Sequence, residues 1–305
     1  MSPSSPGAAR EHRRGLIAVV IAALLWSIGG LFIKWVSVDA FVITQWRSLF
    51  AAVTIAIGAR PRFSALRRAP VLSLALILSY ALTLLTFVAA TRLTTAANAI
   101  FLQYTAPLWV AFVGFAFLRQ PPTRLDLATL LVAFGGMGLF FLGKLEPANT
   151  EGNLIALASG VFFSAFLLLL RHPRSSSDLR IGSMVAGNVL LCLSMAALHL
   201  ATGKQAAFLP SSRDLAALAI LGVFQIGIAY IVFNYGIARV ASLEASLLGM
   251  VEPVLNPLWV FLVLGELPAV WASLGGTIIL GALAVRTVVT ERRGAKATPA
   301  GPTAE

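Results

Sequence analysis

Long apolar runs recur along the whole chain and are separated by short polar or basic stretches. Most runs are close to twenty residues long, which lets a helix cross a hydrocarbon core of roughly 30 Å. Helices of a water-soluble domain would instead carry their apolar residues on one face. The pattern predicts an all-α integral membrane protein with ten transmembrane helices, numbered here as spans one to ten: 16–36, 40–59, 70–90, 95–117, 124–142, 153–171, 181–201, 214–236, 241–264 and 267–288.

The second half of the chain repeats the first half. An offset of 146 residues aligns Pro107 with Pro253, Gln120 with Glu266, Pro122 with Pro268 and Gly135 with Gly281. An offset of 137 residues aligns Gly15 with Gly152, Trp26 with Phe163, Ser27 with Ser164 and Lys34 with Arg171. We predict one five-helix repeat at 15–143 and a second at 152–288, between cytosolic tails at 1–14 and 289–305, the latter disordered. Because five crossings is an odd number, the second repeat is expected to be inverted relative to the first.

The basic residues are distributed unevenly between the two sides of the predicted membrane. The net charge is +11, and 58% of the residues are hydrophobic. With the N-terminus inside, the outer side carries only Lys34, Arg92, Lys144, Lys204 and Arg213, Arg47 lies within a span, and all other Lys and Arg residues lie inside. The positive-inside rule then places both termini in the cytosol of a multi-pass protein of the cell inner membrane. The scattered charges form no stripe that would bind nucleic acid.

Glu252 lies near the middle of span nine, directly before Pro253. A carboxylate at that depth is costly unless it is paired, protonated or hydrated. Ala245, Gly249 and Asn256 share its helix face, which is small and polar as a cavity wall requires. The sequence predicts contact between Glu252 and a substrate or a proton. A neutral acid bonded to backbone that Pro253 frees is the structural alternative.

Arg47 lies about two turns into span two from the outer side. Arginine does not lose its charge in proteins, so the side chain needs an anion, carbonyl groups or water. Three interpretations stay open: a partner within the protein such as Glu252, the carboxylate of a substrate, or an extended side chain that reaches the outer headgroups.

Prolines interrupt spans four and nine at related positions. Pro107 and Pro253 correspond in the repeat, and Pro257 follows one turn later. A proline inside a helix frees a carbonyl, which a membrane tolerates only beside protein or water. Paired breaks in inverted repeats are typical of hinges or of carbonyls that line a transport site. A static kink that helps packing is the alternative.

Polar and aromatic residues also fall within the spans: Tyr80, Asn98, Gln103, Tyr104, Gln225, Tyr230 and Asn234. Tyr230 and Asn234 share a helix face, whereas Gln103 and Asn98 lie about 140° apart and do not both point to one cavity. Each residue is also explained by a hydrogen bond between helices. Together they predict a site with aromatic walls and few charges, which suits a small zwitterion or amphipathic metabolite better than a polyphosphate.

Several short motifs carry a family resemblance. They are Trp26-Ser27, Trp46-Arg47-Ser48, Thr91-Arg92-Leu93-Thr94-Thr95-Ala96, Tyr104-Thr105-Ala106-Pro107-Leu108, Ala238-Arg239-Val240-Ala241-Ser242, Glu252-Pro253-Val254 and Leu264-Gly265-Glu266. With two five-helix repeats, the chain resembles the EamA-type family of the drug/metabolite transporter superfamily over residues 15–288. The resemblance implies export or exchange of small metabolites, often amino acids or their relatives. One departure is Gln120, which stands where the second repeat has Glu266.

These features favour a secondary transporter that exports or exchanges small metabolites by alternating access at the repeat interface. Amino acids are the first expectation, aromatic or other neutral ones included, and efflux of cationic drugs or other small metabolites is the alternative. A channel is disfavoured because no filter-like segment or ring of acids occurs. The spans contain no nucleophile with its base and no cluster of metal ligands, so neither an enzyme nor a cofactor is expected. The expected partners are a small-molecule substrate and the lipid bilayer.

Overall fold

The computed structural model describes residues 6–116, 121–140, 142, 149–202, 209–264 and 270–296. Regular secondary structure in these ranges is entirely helical. The helices are α1 Pro6–Trp26, α2 Gly29–Trp35, α3 Ala40–Ala59, α4 Ser64–Arg68, α5 Pro70–Leu93, α6 Ala96–Gln103, α7 Ala106–Ala116, α8 Arg124–Phe140, α9 Thr150–Leu170, α10 Ser177–Ala201, α11 Ser212–Ile220, α12 Ala229–Ile237, α13 Ser242–Gly249, α14 Val251–Leu264 and α15 Val270–Lys296. A π-helix at Leu221–Ile228 joins α11 to α12.

Polar residues in the short connections fix where helices begin. The Asp39 carboxylate accepts hydrogen bonds from two backbone N–H groups at the start of α3. Thr95, Ser176 and Ser211 cap α6, α10 and α11 through their side-chain oxygens. Such caps satisfy N–H groups that have no partner within the helix. The connections therefore set the helix starts while the apolar runs set the helix lengths.

Eight segments of the described chain are long and apolar enough to cross a membrane. They correspond to predicted spans one to four, six to eight and ten, and α3 has the bounds predicted for span two. The two other predicted spans contain helix α8 and the pair α13 and α14. The protein is thus a multi-pass helical membrane protein, and the count of ten spans stays a prediction.

The helices extend into both predicted tails. Helix α1 begins at Pro6, nine residues before the predicted first repeat, because proline suits the first turn of a helix and alanines follow it. Helix α15 continues through Lys296, since Glu291, Arg292 and Arg293 are good helix formers. The described helix therefore runs past residue 289, the predicted start of the C-terminal tail, and residues 297–305 lie outside the described part of the chain.

Spans four and nine are interrupted, as the prolines indicated, but each break lies just before its proline. Span four breaks at Tyr104 and Thr105, and span nine breaks at Met250, which corresponds to Tyr104 in the repeat. Pro107 and Pro253 follow in the first turns of α7 and α14, where a helix needs no N–H donor. The prolines therefore start new helices rather than bend continuous ones. Pro257 lies within α14, and its side chain is outside the described set.

Helix pairing follows the repeat. In span numbers, α1 of span one packs on α12 of span eight, and α5 of span three packs on α9 of span six. Spans one and six occupy equivalent positions in the two repeats, as do spans three and eight. The pair of spans one and eight is therefore equivalent to the pair of spans six and three. Helix α3 packs on α10 and α8 packs on α15, and each of these pairs joins equivalent spans of the two repeats, two with seven and five with ten. The packing is consistent with a twofold relation between the halves, with the main core between spans of different repeats.

Candidate functional site

A small cavity lies inside the helix bundle, beside the breaks of spans four and nine. Its volume is about 40 Å³. Both repeats contribute to its lining, which consists of Trp26, Arg47, Thr83, Leu84, Phe87, Gln103, Tyr104, Phe163, Gln225, Ile226, Tyr230 and Glu252. Five of the predicted site residues, Glu252, Arg47, Gln103, Tyr104 and Tyr230, are thereby brought to one place.

Glu252 joins the two helix breaks. It lies in the first turn of α14 and is 8% exposed. The hydroxyl of Tyr104, at the break of span four, donates a hydrogen bond of 2.5 Å to Oε2 of Glu252. Tyr104 is itself 2% exposed. The acid is thus held by a tyrosine from the other repeat, and a bond to backbone freed by Pro253, the structural alternative, is not among its described contacts.

Arg47 is a buried cation with few partners. Its side chain is completely covered by protein, so it does not extend to the outer headgroups. Nη2 donates a long hydrogen bond of 3.4 Å to the backbone oxygen of Leu84. Nε and Nη1 have no hydrogen-bond partner among the described residues, and no carboxylate there forms an ion pair with Arg47. A direct Arg47–Glu252 pair, one of the sequence interpretations, is therefore not formed.

Other polar groups are fixed by interhelical hydrogen bonds. Nε2 of Gln103 donates to Ser159 at 2.8 Å, and Ser159 donates to the backbone oxygen of Thr83 at 3.2 Å.

The side-chain oxygen of Gln225 is buried and has no described partner. The π-helix carries Gln225 toward the cavity, as π-helical turns often do at functional sites.

Aromatic rings form one side of the cavity. Trp26 contacts Phe163 in a T-shaped arrangement and contacts Tyr230 with a centroid distance of 5.2 Å. Tyr80 packs on Tyr230 beside the cavity, and its hydroxyl accepts a hydrogen bond from Asn188. Our sequence prediction omitted Trp26 and Phe163. The sequence did contain a signal for them, because the 137-residue offset aligns Trp26 with Phe163 as equivalent residues of the two repeats. The structure places the two rings in contact between the repeats.

The remaining predicted residues lie elsewhere. Asn234 accepts a 2.6 Å hydrogen bond from Nε of Arg180 and donates to Ser177, away from the cavity lining. Asn98 points to Asn153, so the prediction that Gln103 and Asn98 face different places is confirmed. The side chain of Asn256 and the turns containing Gln120 and Glu266 are outside the described set.

The first halves of the two broken spans are anchored in a related way. On α13, the Glu244 carboxylate contacts His12 of α1 at 2.9 Å and Arg286 of α15 at 2.8 Å, and Arg286 also pairs with Asp126 of α8. Asn98 occupies the position equivalent to Glu244 on α6, and it bonds to Asn153 of α9. Each of these half-helices is therefore held to the first turns of a helix from the other repeat. Helix α13 is held to α1 by charged groups, and α6 is held to α9 by amide groups.

The comparison with known families decides the classification. The model of the EamA-like transporter family matches the chain twice, at residues 13–142 and 150–288. The chain belongs to the EamA-like transporter family. Membership of the drug/metabolite transporter superfamily follows from it, and the predicted resemblance is confirmed.

Individual relatives agree with this classification. An uncharacterized transporter of Archaeoglobus fulgidus is 25% identical over 287 residues, which cover 90% of this chain and 97% of the relative. A crystal structure of a protein with 22% sequence identity superposes with a TM-score of 0.76, and the match covers 91% of this chain and 98% of the other. The first similarity supports a general transport role rather than an enzyme, and the second shows that the fold is shared.

Proposed function

We propose that this EamA-like protein is a secondary transporter that exports or exchanges amino acids, aromatic or other neutral ones among them. In this proposal, ten spans form two inverted five-helix repeats in the cell inner membrane, with both termini in the cytosol. The substrate binds between the repeats, and each side of the membrane gains access in turn.

The observation that carries the proposal is the shared cavity. Its lining comes from both repeats and combines one arginine, Arg47, and one carboxyl group, Glu252, with several aromatic rings. A zwitterion offers complementary charges to such a pair, and its side chain can pack on Phe163 and Tyr230. Ionisable residues within membrane spans are rare and typically mark substrate or ion pathways.

Binding requires the lining helices to move. A cavity of about 40 Å³ holds only two or three water molecules, so an amino acid needs more room. We assign the motion to the two helix breaks, where α6 meets α7 and α13 meets α14. On this proposal, the contacts of Glu244 and those of Asn98 close the cavity toward opposite sides of the membrane. Each set of contacts breaks when the cavity opens to its own side.

Efflux of cationic drugs is the second candidate. It is favoured by Glu252, the only carboxyl group among the described residues that line the cavity. A cation would replace the Tyr104 hydroxyl at that carboxylate. Arg47 argues for the amino acid, because a cationic drug would leave the arginine without an anion.

Counterflow in vesicles tests the proposed function. The full chain is reconstituted in proteoliposomes loaded with an unlabelled amino acid, and uptake of the same labelled amino acid is followed for phenylalanine, leucine, threonine and methionine. Protein-dependent transient accumulation of at least one of them supports the proposal. If folded protein accumulates none of the four but counterflows a labelled drug cation, the second candidate replaces it.

A further inference from the structure

We infer that Arg47 and Trp26 form a carboxylate-binding subsite and that the substrate must carry a free carboxylate. This inference deepens the proposed function and rests on it, because it names the chemical group by which the same cavity selects its substrate. It also assigns an orientation, with the carboxylate of the substrate at Arg47 and any ammonium group at Glu252.

The first observation is a set of hydrogen-bond donors without acceptors. Arg47 Nε and Nη1 and Trp26 Nε1 are all buried, and none has a partner among the described residues. Both residues line the same cavity. Arg47 is 0% exposed and Trp26 is 5% exposed, so lipid headgroups do not reach these donors. An occupant of the cavity that both residues line is therefore a candidate acceptor for these donors.

The second observation is the geometry of the guanidinium group. Nη2 carries two hydrogens, and its one described acceptor is the Leu84 oxygen, at the long distance of 3.4 Å. The Leu84 bond uses one of the two Nη2 hydrogens, so one edge of the guanidinium group retains a pair of free donors for a carboxylate, which arginine binds best in a two-point arrangement. A buried cation without an anion is strongly unfavourable, and a bound carboxylate offsets part of that cost.

The third observation concerns the charges that face Arg47. Among the described lining residues, Glu252 is the only acid, and it accepts from Tyr104 instead of pairing with Arg47. Tyr80 and Tyr230 are the other ionisable groups close to the guanidinium, and neither supplies a negative charge at neutral pH. The protein therefore leaves the anion position open, and it retains an acid in the same cavity for a positive group.

The same arrangement limits the class of anion. Arg47 is the only cation among the described lining residues, which suits a single negative charge better than a phosphate ester. The adjoining rings of Phe163, Phe87 and Tyr230 provide an apolar surface for the rest of the ligand. The geometry thus points to monocarboxylates with an apolar body, and amino acids meet the requirement at both charged ends.

A series of matched small molecules tests the subsite on the purified full chain. The probes are L-phenylalanine, L-phenylalaninamide, 3-phenylpropionate and phenethylamine, with L-leucine and L-leucinamide as a second pair. Binding is read from tryptophan fluorescence and from the shift of the thermal unfolding midpoint. We expect the carboxylates to bind and their amides or amines to bind at least ten-fold more weakly.

Variants connect this preference to the named residues. Arg47→Gln should abolish carboxylate binding, Arg47→Lys should weaken it at least ten-fold, and Trp26→Phe should weaken it several-fold. Glu252→Gln should keep 3-phenylpropionate binding and lose the preference for phenylalanine over it. Arg213→Gln is the matched control and should bind all probes as the wild type does, because Arg213 lies over the ring of Trp35, outside the cavity lining.

The wild-type comparison of acids with amides does not depend on any variant folding. Equal binding of phenylalanine and its amide, or binding of none of the carboxylates, overturns the subsite. Carboxylate binding without counterflow of any amino acid keeps the subsite and overturns the transport proposal. Counterflow of amines with no carboxylate binding overturns the subsite and favours the second candidate, efflux of cations.

Discussion

The hydroxyl of Tyr104 lies 2.5 Å from Oε2 of Glu252 and joins the helix breaks of the two repeats. Tyr104 ends α6, and Glu252 lies in the first turn of α14, after the break at the equivalent position of span nine. A hydrogen bond between the repeats thus connects the interruption of span four with that of span nine, inside the cavity that both repeats line.

Removal of this donor should destabilise the protein. Tyr104→Phe leaves a buried carboxyl group without its hydrogen bond, and we expect a loss of about 1–3 kcal/mol in the free energy of unfolding. The measurement is unfolding of the purified variant in detergent. Combined in a double-mutant cycle with Glu252→Leu, which removes the acceptor, the two substitutions should be non-additive. Strict additivity would show that the bond does not contribute to stability.

The buried charge network at α13 should contribute more. Arg286 contacts both Glu244 and Asp126 at 2.8 Å, so Arg286→Gln removes the cation that the two buried carboxylates share and leaves Glu244 with His12. We expect a loss of about 3–5 kcal/mol in the free energy of unfolding. Arg292→Gln, an exposed position on the same helix, is the control and should change stability little. An equal effect of the two substitutions would contradict the assigned contacts.

Close packing near Arg47 should make Gly222 intolerant of a side chain. A Cβ atom there would lie 2.6 Å from the backbone oxygen of Arg47 and would also collide with Phe50. Gly222→Ala should therefore cost about 1–3 kcal/mol of stability. Gly281→Ala should be neutral or stabilising, because no atom lies within 4 Å of its added Cβ atom and alanine favours a helix. Thermal unfolding of both variants checks the pair, and a Gly222→Ala protein as stable as the wild type would be the contrary result.

The proposed topology predicts the location of the C-terminus. A reporter that is active only in the periplasm, fused after Glu305, should give no signal in a host bacterium. The reason is the excess of arginine on the inner side, which retains those segments in the cytosol. A second fusion within the outer segment near Lys204 should be active and serves as the control. Activity of the C-terminal fusion would overturn either the orientation or the even number of spans, and the fusion near Lys204 distinguishes the two, because it stays active only in the predicted orientation.

The helices were predictable because each depends on local properties. Span two was predicted to the residue, because its apolar run is bounded on both sides. Asp39, which caps the helix, precedes the run, and Arg60, which adopts a left-handed conformation, follows it. The breaks were harder to place. Pro107 and Pro253 indicated interrupted helices, but the same residues are compatible with a kink or with a new first turn, and tertiary packing decides between them.

The site was predictable only in part. Glu252 and Arg47 stood out because charges in apolar runs are rare, and the structure brings both to one cavity. Trp26 and Phe163 did not stand out, because an aromatic residue in an apolar run is ordinary. The absence of an Arg47–Glu252 ion pair depends on side-chain positions in several different spans, which spacing along single helices does not determine.

Counterflow with the Glu252→Gln variant tests the central claim most directly. The measurement compares wild type, Glu252→Gln and the exposed control Glu151→Gln in proteoliposomes over a range of pH, using the amino acid that the wild type accumulates. Because an amide does not exchange a proton, we expect the Glu252→Gln protein to fold but to lose transport or its pH dependence, and Glu151→Gln to resemble the wild type. Wild-type activity and pH profile in folded Glu252→Gln protein would contradict a transport role for the cavity acid.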